Sequence, residues 1–225
     1  MSSKLQYRFI EFCINSNVLR FGEFKTKAGR LSPYFFNAGL FYTGTMLHTL
    51  ADFYAHTLIE AMKAGRIQCD MVFGPAYKGI TLAAALVMRM SELGYDLPFA
   101  YNRKEAKDHG EGGNVVGAPI TGRVLIIDDV ISAGTSVGES VKIIEECGAK
   151  PAGVLLALDR MECAGTAENI SERSAVQDVE QRYGIPVISI ASLNDLMSYL
   201  NEAKDPALSI YKAAVEAYRA KYGSR

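Results

Sequence analysis

The chain is poor in cysteine and proline, and neither sign of charge is in excess. Its four cysteines, Cys13, Cys69, Cys147 and Cys163, are spread over 225 residues. No pair is spaced as CxxC and no Cys/His ligand spacing occurs, which argues against a zinc site. Four scattered cysteines do not make a disulfide scaffold at this size, so the thiols read as reduced and mostly buried, as in a cytoplasmic protein. The 7 prolines and 20 glycines carry no period, which excludes collagen-like and low-complexity architectures. Basic and acidic residues number 24 and 25, a net charge of −1, so no broad nucleic-acid or anionic-membrane footprint is expected. The opening segment, MSSKLQYRFIEFCINSN, has charges where a signal core would be apolar. The longest uncharged stretch runs from Leu31 to Ala51. Pro33, Asn37, Thr43, Thr45, His48 and several glycines within it would bring polar or helix-breaking groups into hydrocarbon.

What the chain does have is apolar side chain, at 49% of residues. That is enough to bury a sizeable core, and the length suits one large domain. Apolar spacing predicts a helix over 4–14, a two-stranded excursion over 19–24 and 33–37, and a helix over 45–63. An alternating rhythm follows. Short apolar strands at 70–73, 98–101, 123–127, 152–158 and 186–190 are separated by helical patterns at 80–93, 135–147 and 176–182. Helices at 193–200 and 206–221 close the chain. Strands alternating with helices mean an α/β fold, a parallel sheet with helices on both faces. Ligands of such sheets bind beyond the carboxyl ends of the strands. The residues to read for chemistry are therefore 75–79, 102–117, 128–136 and 159–162.

Residues 124–136 read VLIIDDVISAGTS. A buried-type strand ends in Asp128 and Asp129, and a small-residue loop then opens a helix. Free N–H groups and hydroxyls at a helix N-terminus suit a phosphate. Two carboxylates beside it suit sugar hydroxyls, or a Mg²⁺ carried on the same ligand. The implied ligand has both a phosphate and vicinal hydroxyls. No GxxxxGK[ST] motif occurs, so this is not a Walker A loop. The thirteen residues resemble the phosphoribosyl diphosphate (PRPP) signature of the type I phosphoribosyltransferases.

Three further segments narrow the resemblance. They are Lys25–Asn37 with its SPYFFN, the GPAYKG of Gly74–Gly79, and the RKEAKDHGEGG of Arg103–Gly113. Together they resemble the orotate phosphoribosyltransferases over nearly the whole chain. The resemblance implies a single domain over 1–225, with a small hood built mainly from about residues 1–40. It also implies a mobile lid at about 102–117, a homodimer whose lid completes the neighbouring site, and Mg²⁺ bound chiefly to PRPP oxygens and waters. No residue is assigned as a protein metal ligand.

Residue by residue, the resemblance puts Lys27, Tyr77, Lys78, Arg103, Lys104, Lys107 and His109 on PRPP. Asp128 and Asp129 would hold the ribose hydroxyls. Val130, Ile131, Ser132, Ala133, Gly134, Thr135 and Ser136 would surround the sugar's phosphate. Orotate would meet Phe35, Phe36, Ser132 and Arg160, the last pairing with its carboxylate. Lys107, Lys78, Asp129 and Arg103 would carry the catalysis. The implied reaction moves the phosphoribosyl group of PRPP to orotate, giving orotidine 5′-monophosphate and diphosphate for pyrimidine nucleotide synthesis. These roles make physical sense. A flat anion suits an aromatic wall and a bidentate arginine, and the departing diphosphate gains charge that cations stabilise. Many relatives carry Thr where this chain has Ser132, and the hydroxyl is kept. The other readings are a phosphoribosyltransferase for another base and a PRPP-sensing regulator. A neutral base would have no carboxylate for Arg160 to pair, and a DNA-binding regulator would need a basic face. A fused decarboxylase domain does not fit the length. The helical tail from Asp205 to Arg225 reads as packing or dimer periphery, without a functional residue.

Overall fold

The computed structural model describes residues 4–26, 28–107, 113–132, 134–166, 168–203 and 206–224. The chain opens with α1 (Lys4–Asn15), β1 (Leu19–Lys25), β2 (Leu31–Phe36) and α2 (Gly44–Lys63). It continues through β3 (Met71–Gly74), α3 (Lys78–Glu92), β4 (Phe99–Lys107), β5 (Gly113–Gly117), β6 (Arg123–Asp128) and α4 (Thr135–Glu146). It ends with β7 (Lys150–Asp159), β8 (Cys163–Gly165), β9 (Ile170–Ser174), α5 (Ala175–Tyr183), β10 (Val187–Ser192), α6 (Leu193–Glu202) and α7 (Pro206–Tyr222).

Six strands form the central sheet, in the order β10-β7-β6-β3-β4-β5. The strands from β10 to β4 are parallel neighbours. They are buried on both faces, and alternate residues feed two separate cores. Val72, Leu125, Ile127, Leu155, Ala157, Ile188 and Ile190 point to the core shared with α1, α2, α3 and α6. Met71, Phe73, Val124, Ile126, Val154 and Leu156 point to the core shared with Val137, Val141 and Ile144 of α4 and with Val176 and Val179 of α5. Helices therefore cover both faces, as the strand–helix rhythm predicts. Each fully buried aliphatic or aromatic side chain contributes about 1.5–3 kcal/mol. No helix among the described residues is long and apolar enough to cross a membrane.

The structure corrects three expectations. The sheet is mixed, because β5 pairs antiparallel with β4 at the edge. The polar segment expected to be a loop from Asn102 is strand as far as Lys107 and strand again from Gly113. Its charge hides a hairpin that runs past the last β3–β4 pair at Tyr101, where side chains need no apolar alternation. Pairing is regular from Ala100–Gly117 to Asn102–Val115, then shifts before Lys107–Gly113, so Arg103 to Ala106 form a bulge. The third correction concerns β8 and β9, a small antiparallel hairpin that strand periodicity does not reveal in CAGTAENISERS.

The expected excursion over β1 and β2 is a separate two-stranded antiparallel sheet. It packs against α7 rather than against the central sheet: Phe21 stacks on Tyr211 at 5.1 Å, and Tyr34 meets Tyr218 edge-on at 6.4 Å. In contrast, α1 buries Phe9, Ile10 and Cys13 in the main core. The hairpin alone stands over the sheet's end.

The turn from β3 into α3 places Gly74 and Gly79 in backbone contact. A Cβ on Gly74 would lie 2.1 Å from the Gly79 carbonyl oxygen, and one on Gly79 would lie 2.6 Å from Pro75 Cδ. Both neighbours are rigid. Gly74→Ala should therefore lower stability by about 1–3 kcal/mol. An unshifted urea midpoint would show that the turn relaxes freely.

Candidate active site

After β3 the chain crosses to β4 on one side, then returns to β6 on the other side of β3. This reversal opens a crevice beyond the carboxyl ends of β3 and β6, where open α/β sheets take ligands. Two helices begin in it, α3 after β3 and α4 after β6. Neither has a side chain capping its first N–H groups. By contrast, Thr43, Ser174 and Ser192 cap α2, α5 and α6 with their hydroxyls. The uncapped helix starts leave N–H donors and the positive end of the dipole for an anion. Gly134 enables this at α4, since its φ of +71° is a left-handed conformation that glycine adopts without cost.

Asp128 and Asp129 stand at the mouth of β6. The backbone N–H of Asp129 donates to Asp128 Oδ1 at 2.8 Å. Ala157 and Leu158 of β7 donate their N–H groups to the Asp129 carbonyl, and the Tyr54 hydroxyl donates to that of Asp128 at 2.8 Å. The Asp129 residue is 5% exposed. Its carboxylate accepts from Lys78 Nζ at 2.6 Å, an ion pair that spans the crevice. Burial, and then the adjacent Asp129 charge, push the Asp128 carboxyl up to about 7. Among the described residues no cluster of three or more His, Cys, Asp or Glu could hold a metal. The site thus offers a pair of acids rather than a cage, which fits a divalent cation that arrives already coordinated by a ligand. Val130 and Ile131 are half-buried, Ser132 and Thr135 exposed, and Gly134 and Ser136 intermediate along the loop.

Tyr77 and Lys78 follow Gly74 at the start of α3, and the Ala76–Tyr77 peptide is cis. Asn102 of β4 ties this turn to the edge hairpin by accepting the Ala76 N–H at 2.8 Å. Beyond Asn102 the bulge begins, and bulges re-aim side chains. Lys104 comes over the exposed Tyr77 ring, with Nζ 5.4 Å from its centroid. The strand's irregular stretch thereby brings Lys104 of β4 to the turn that bears Lys78. Lys27, His109 and Ala133 lie outside the described residues, as does the side chain of Lys107.

Arg160 leaves the end of β7 one residue after Asp159. The Asp159 carboxylate accepts the Met161 N–H at 2.8 Å, and Met161 takes φ +51°, so the chain turns sharply here. The Arg160 guanidinium lies over the Tyr34 ring, 4.9 Å from its centroid. Its Nε donates to Glu162 Oε1 at 2.9 Å and Nη2 donates to the same oxygen. Nη2 also reaches Ser32 Oγ at 3.3 Å. Nη1 has no partner among the described residues.

Phe35 and Phe36 are adjacent on β2, so their side chains take opposite faces. Phe36 is 6% exposed in the main core. Phe35 stacks on Phe24 at 5.4 Å, with Arg20 over its ring. One ligand cannot meet both rings, and what Phe36 can present toward Phe35's side is backbone. Sequence reading included Asn102, Ser32 and Glu162 in its segments but gave none of them a site role. A polar Asn ending a regular strand and a Glu two residues from Arg160 were the available signals, and neither has a periodic signature.

Residues 45–180 match the family model described as phosphoribosyl transferase domain. The chain is 61% identical over 219 residues to an orotate phosphoribosyltransferase of Cupriavidus necator, covering 97% of this chain and 95% of the relative. It is 58% identical to one of Bordetella pertussis, covering 96% and 95%. Among solved structures, the orotate phosphoribosyltransferase of Francisella tularensis superposes with a TM-score of 0.83 at 42% identity, covering 96% of this chain and all of that one.

The raised Asp128 carboxyl sets a pH dependence. The folded state holds its proton more tightly than the unfolded state, whose ordinary value is 3.8. Asp128 therefore costs least at low pH, and stability is lost as pH rises from about 4 to about 7. Asp128→Asn should melt above the parent at pH 8, and the advantage should shrink by pH 4.5. A constant difference in melting temperature across that range would contradict the assignment.

Proposed function

The chain belongs to the orotate phosphoribosyltransferases, and on that premise we propose how its residues transfer the phosphoribosyl group of PRPP to orotate, forming orotidine 5′-monophosphate and diphosphate. The reading is carried by the buried Asp128–Asp129 pair, set between the uncapped start of α4 and the Lys78 ammonium.

The ribose 5-phosphate takes the N-terminal donors of α4 and the hydroxyls of Ser132, Thr135 and Ser136, with Val130, Ile131, Ala133 and Gly134 supplying the loop's backbone. Asp128 and Asp129 accept the ribose hydroxyls. Without ligand, Lys78 and Asp129 satisfy one another. PRPP lets them part, since Asp129 gains hydroxyl donors and Lys78, whose side chain is 53% exposed, turns to the diphosphate. Arg103, Lys104, Lys107, His109 and Lys27 join Lys78 and Tyr77 around the diphosphate. Negative charge grows on this group as the anomeric C–O bond breaks, so the cations bind it more strongly in the transition state than in PRPP. Asp128 and Asp129 are the residues that would lie nearest a Mg²⁺ carried on PRPP, and the ion would add charge neutralisation to the diphosphate. The carbohydrate carbon becomes oxocarbenium-like, and water must be kept out. In our reading the segment 102–117 covers it as a lid, over the site of a neighbouring subunit in a homodimer. Phe35 by its ring and Phe36 by its backbone flank orotate near Ser132, and Nη1 of Arg160 takes its carboxylate. The pathway this serves is pyrimidine nucleotide synthesis, and we place the enzyme in the cytoplasm, as one domain with the β1–β2 hairpin as its hood.

Three measurements test this reading. Offered PRPP and Mg²⁺ with orotate, uracil, adenine, hypoxanthine or nicotinate in turn, the protein should release diphosphate with orotate alone, and a chelator should stop it. Turnover with a neutral base would remove the role of Arg160. Arg160→Ala, which loses a charge-assisted contact, should raise the KM for orotate by about 10- to 100-fold. Lys107→Ala should lower kcat by about 10²-fold or more while changing the KM for orotate little. Equal losses in both parameters would mean that Lys107 does not act on the transition state.

A further inference from the structure

A guanidinium presents a side edge, Nε with Nη2, and an end edge that includes Nη1. In Arg160 the side edge is consumed within the protein, since Nε and Nη2 both donate to Glu162 Oε1. The same oxygen accepts the Tyr34 hydroxyl at 3.3 Å. Glu162 is itself held from several directions. Its side chain and that of Arg160 are each 17% exposed. Its backbone bridges antiparallel to Gly223, just past α7, and Ser224 donates its N–H to the Met161 carbonyl at 2.8 Å. Gly223 is needed at this clasp, because a Cβ there would lie 2.5 Å from the Arg219 carbonyl oxygen. The Tyr218 hydroxyl of α7 is buried beside Glu162 in the same cluster. Arg160 could rotate freely about its long side chain, but its side edge, its flat face on Tyr34 and the turn beneath it are all fixed.

We propose that Glu162, anchored by the C-terminal segment through Gly223 and Ser224, is a positioning residue for base recognition: it fixes Arg160 by one edge and leaves Nη1 as the group that meets the acceptor's carboxylate. This rests on the reading that Arg160 binds orotate. A pre-set guanidinium pays its ordering entropy in folding rather than in binding. Preference over neutral bases follows from the same arrangement, since a carboxylate gives Nη1 a charge-assisted hydrogen bond that a neutral base lacks. The helical tail then has a task that its sequence does not display. It holds the turn on which the base-recognising arginine stands.

The proposal turns on the reach of residue 162 rather than its charge, and two variants separate these. Glu162→Asp keeps the buried charge but draws the acceptor back. Glu162→Gln keeps the acceptor in place and removes the charge. Steady-state kinetics on the full chain should show Glu162→Asp raising the KM for orotate about 10-fold, with the KM for PRPP unchanged. Glu162→Gln should stay within about 3-fold of the parent for orotate, rescuing the shortened variant. In an Arg160→Ala background, Glu162→Asp should have no further effect on orotate. The opposite pattern, with Asp tolerated and Gln impaired, would overturn the proposal, as would parallel rises in both KM values. If Arg160→Ala itself leaves the orotate KM unchanged, the underlying reading of Arg160 fails, and a result confined to Glu162 counts against positioning alone.

Discussion

The site is organised around one electrostatic constraint. Two carboxylates, Asp128 and Asp129, end a strand whose body is wholly buried, and a single ammonium, that of Lys78, reaches across to one of them. Like charges so close and so poorly solvated are costly, and Asp128 answers by holding its proton up to about pH 7. Such an arrangement is a poor resting state and a good receptor. A ligand that brings hydroxyl donors and a divalent cation relieves the repulsion, and it frees Lys78 for another anion. The neighbouring helix starts extend the same logic, because their first N–H groups are left without capping side chains. The fold forgoes capping contacts at these two starts and leaves their N–H donors to the crevice.

That constraint depends on the sheet. Lys78 and Asp129 can meet only because β3 and β6, distant in sequence, are neighbours with their carboxyl ends aligned. The reversal of strand order there leaves no helix crossing over the gap. The packed glycines at 74 and 79 bring the start of α3 close enough for Lys78 to reach back. The edge hairpin β4–β5 is tied to the same turn through Asn102. The acids, the ammonium and the edge cations are thus supported by rigid, buried strands rather than by one another.

The base side of the crevice has a different support. There the β1–β2 hairpin, the turn after β7 and the end of α7 converge. Arg30 is 3% exposed and donates through Nη1 and Nη2 to the carbonyls of Cys163, Ala164, Gly165 and Thr166, with Tyr222 against its face. It fastens the hairpin to β8, while Arg160 and Glu162 fasten the adjoining turn. Buried arginines suit this work because a planar fork satisfies several acceptors at once. The hairpin takes its position from these polar contacts, from the tyrosines of α7, and from Leu19, Tyr34 and Phe36, which it buries in the main core.

Much of this was written locally. Alternating apolar strands and helices determine the α/β class, since a strand buried on both faces must be continuously apolar and an amphipathic helix must repeat every three or four residues. The run VLIIDDVISAGTS determines a strand, an acid pair and a helix start, because each is a property of neighbouring residues. Other features are decided only by the tertiary structure. Beyond Tyr101, where its pairing with β3 ends, β4 continues only as a hairpin with β5, so that stretch can be polar and its sequence looks like loop. That Phe36 enters the main core while Phe35 stacks on Phe24 depends on what the fold packs against each face of β2. The bonds of Arg160 to Ser32 and of Ser224 to Met161 join groups that no sequence period relates. Hydrophobic burial leaves a repeating trace in the chain, whereas a polar contact between distant segments is specified at single positions and becomes visible only when the fold has brought them together.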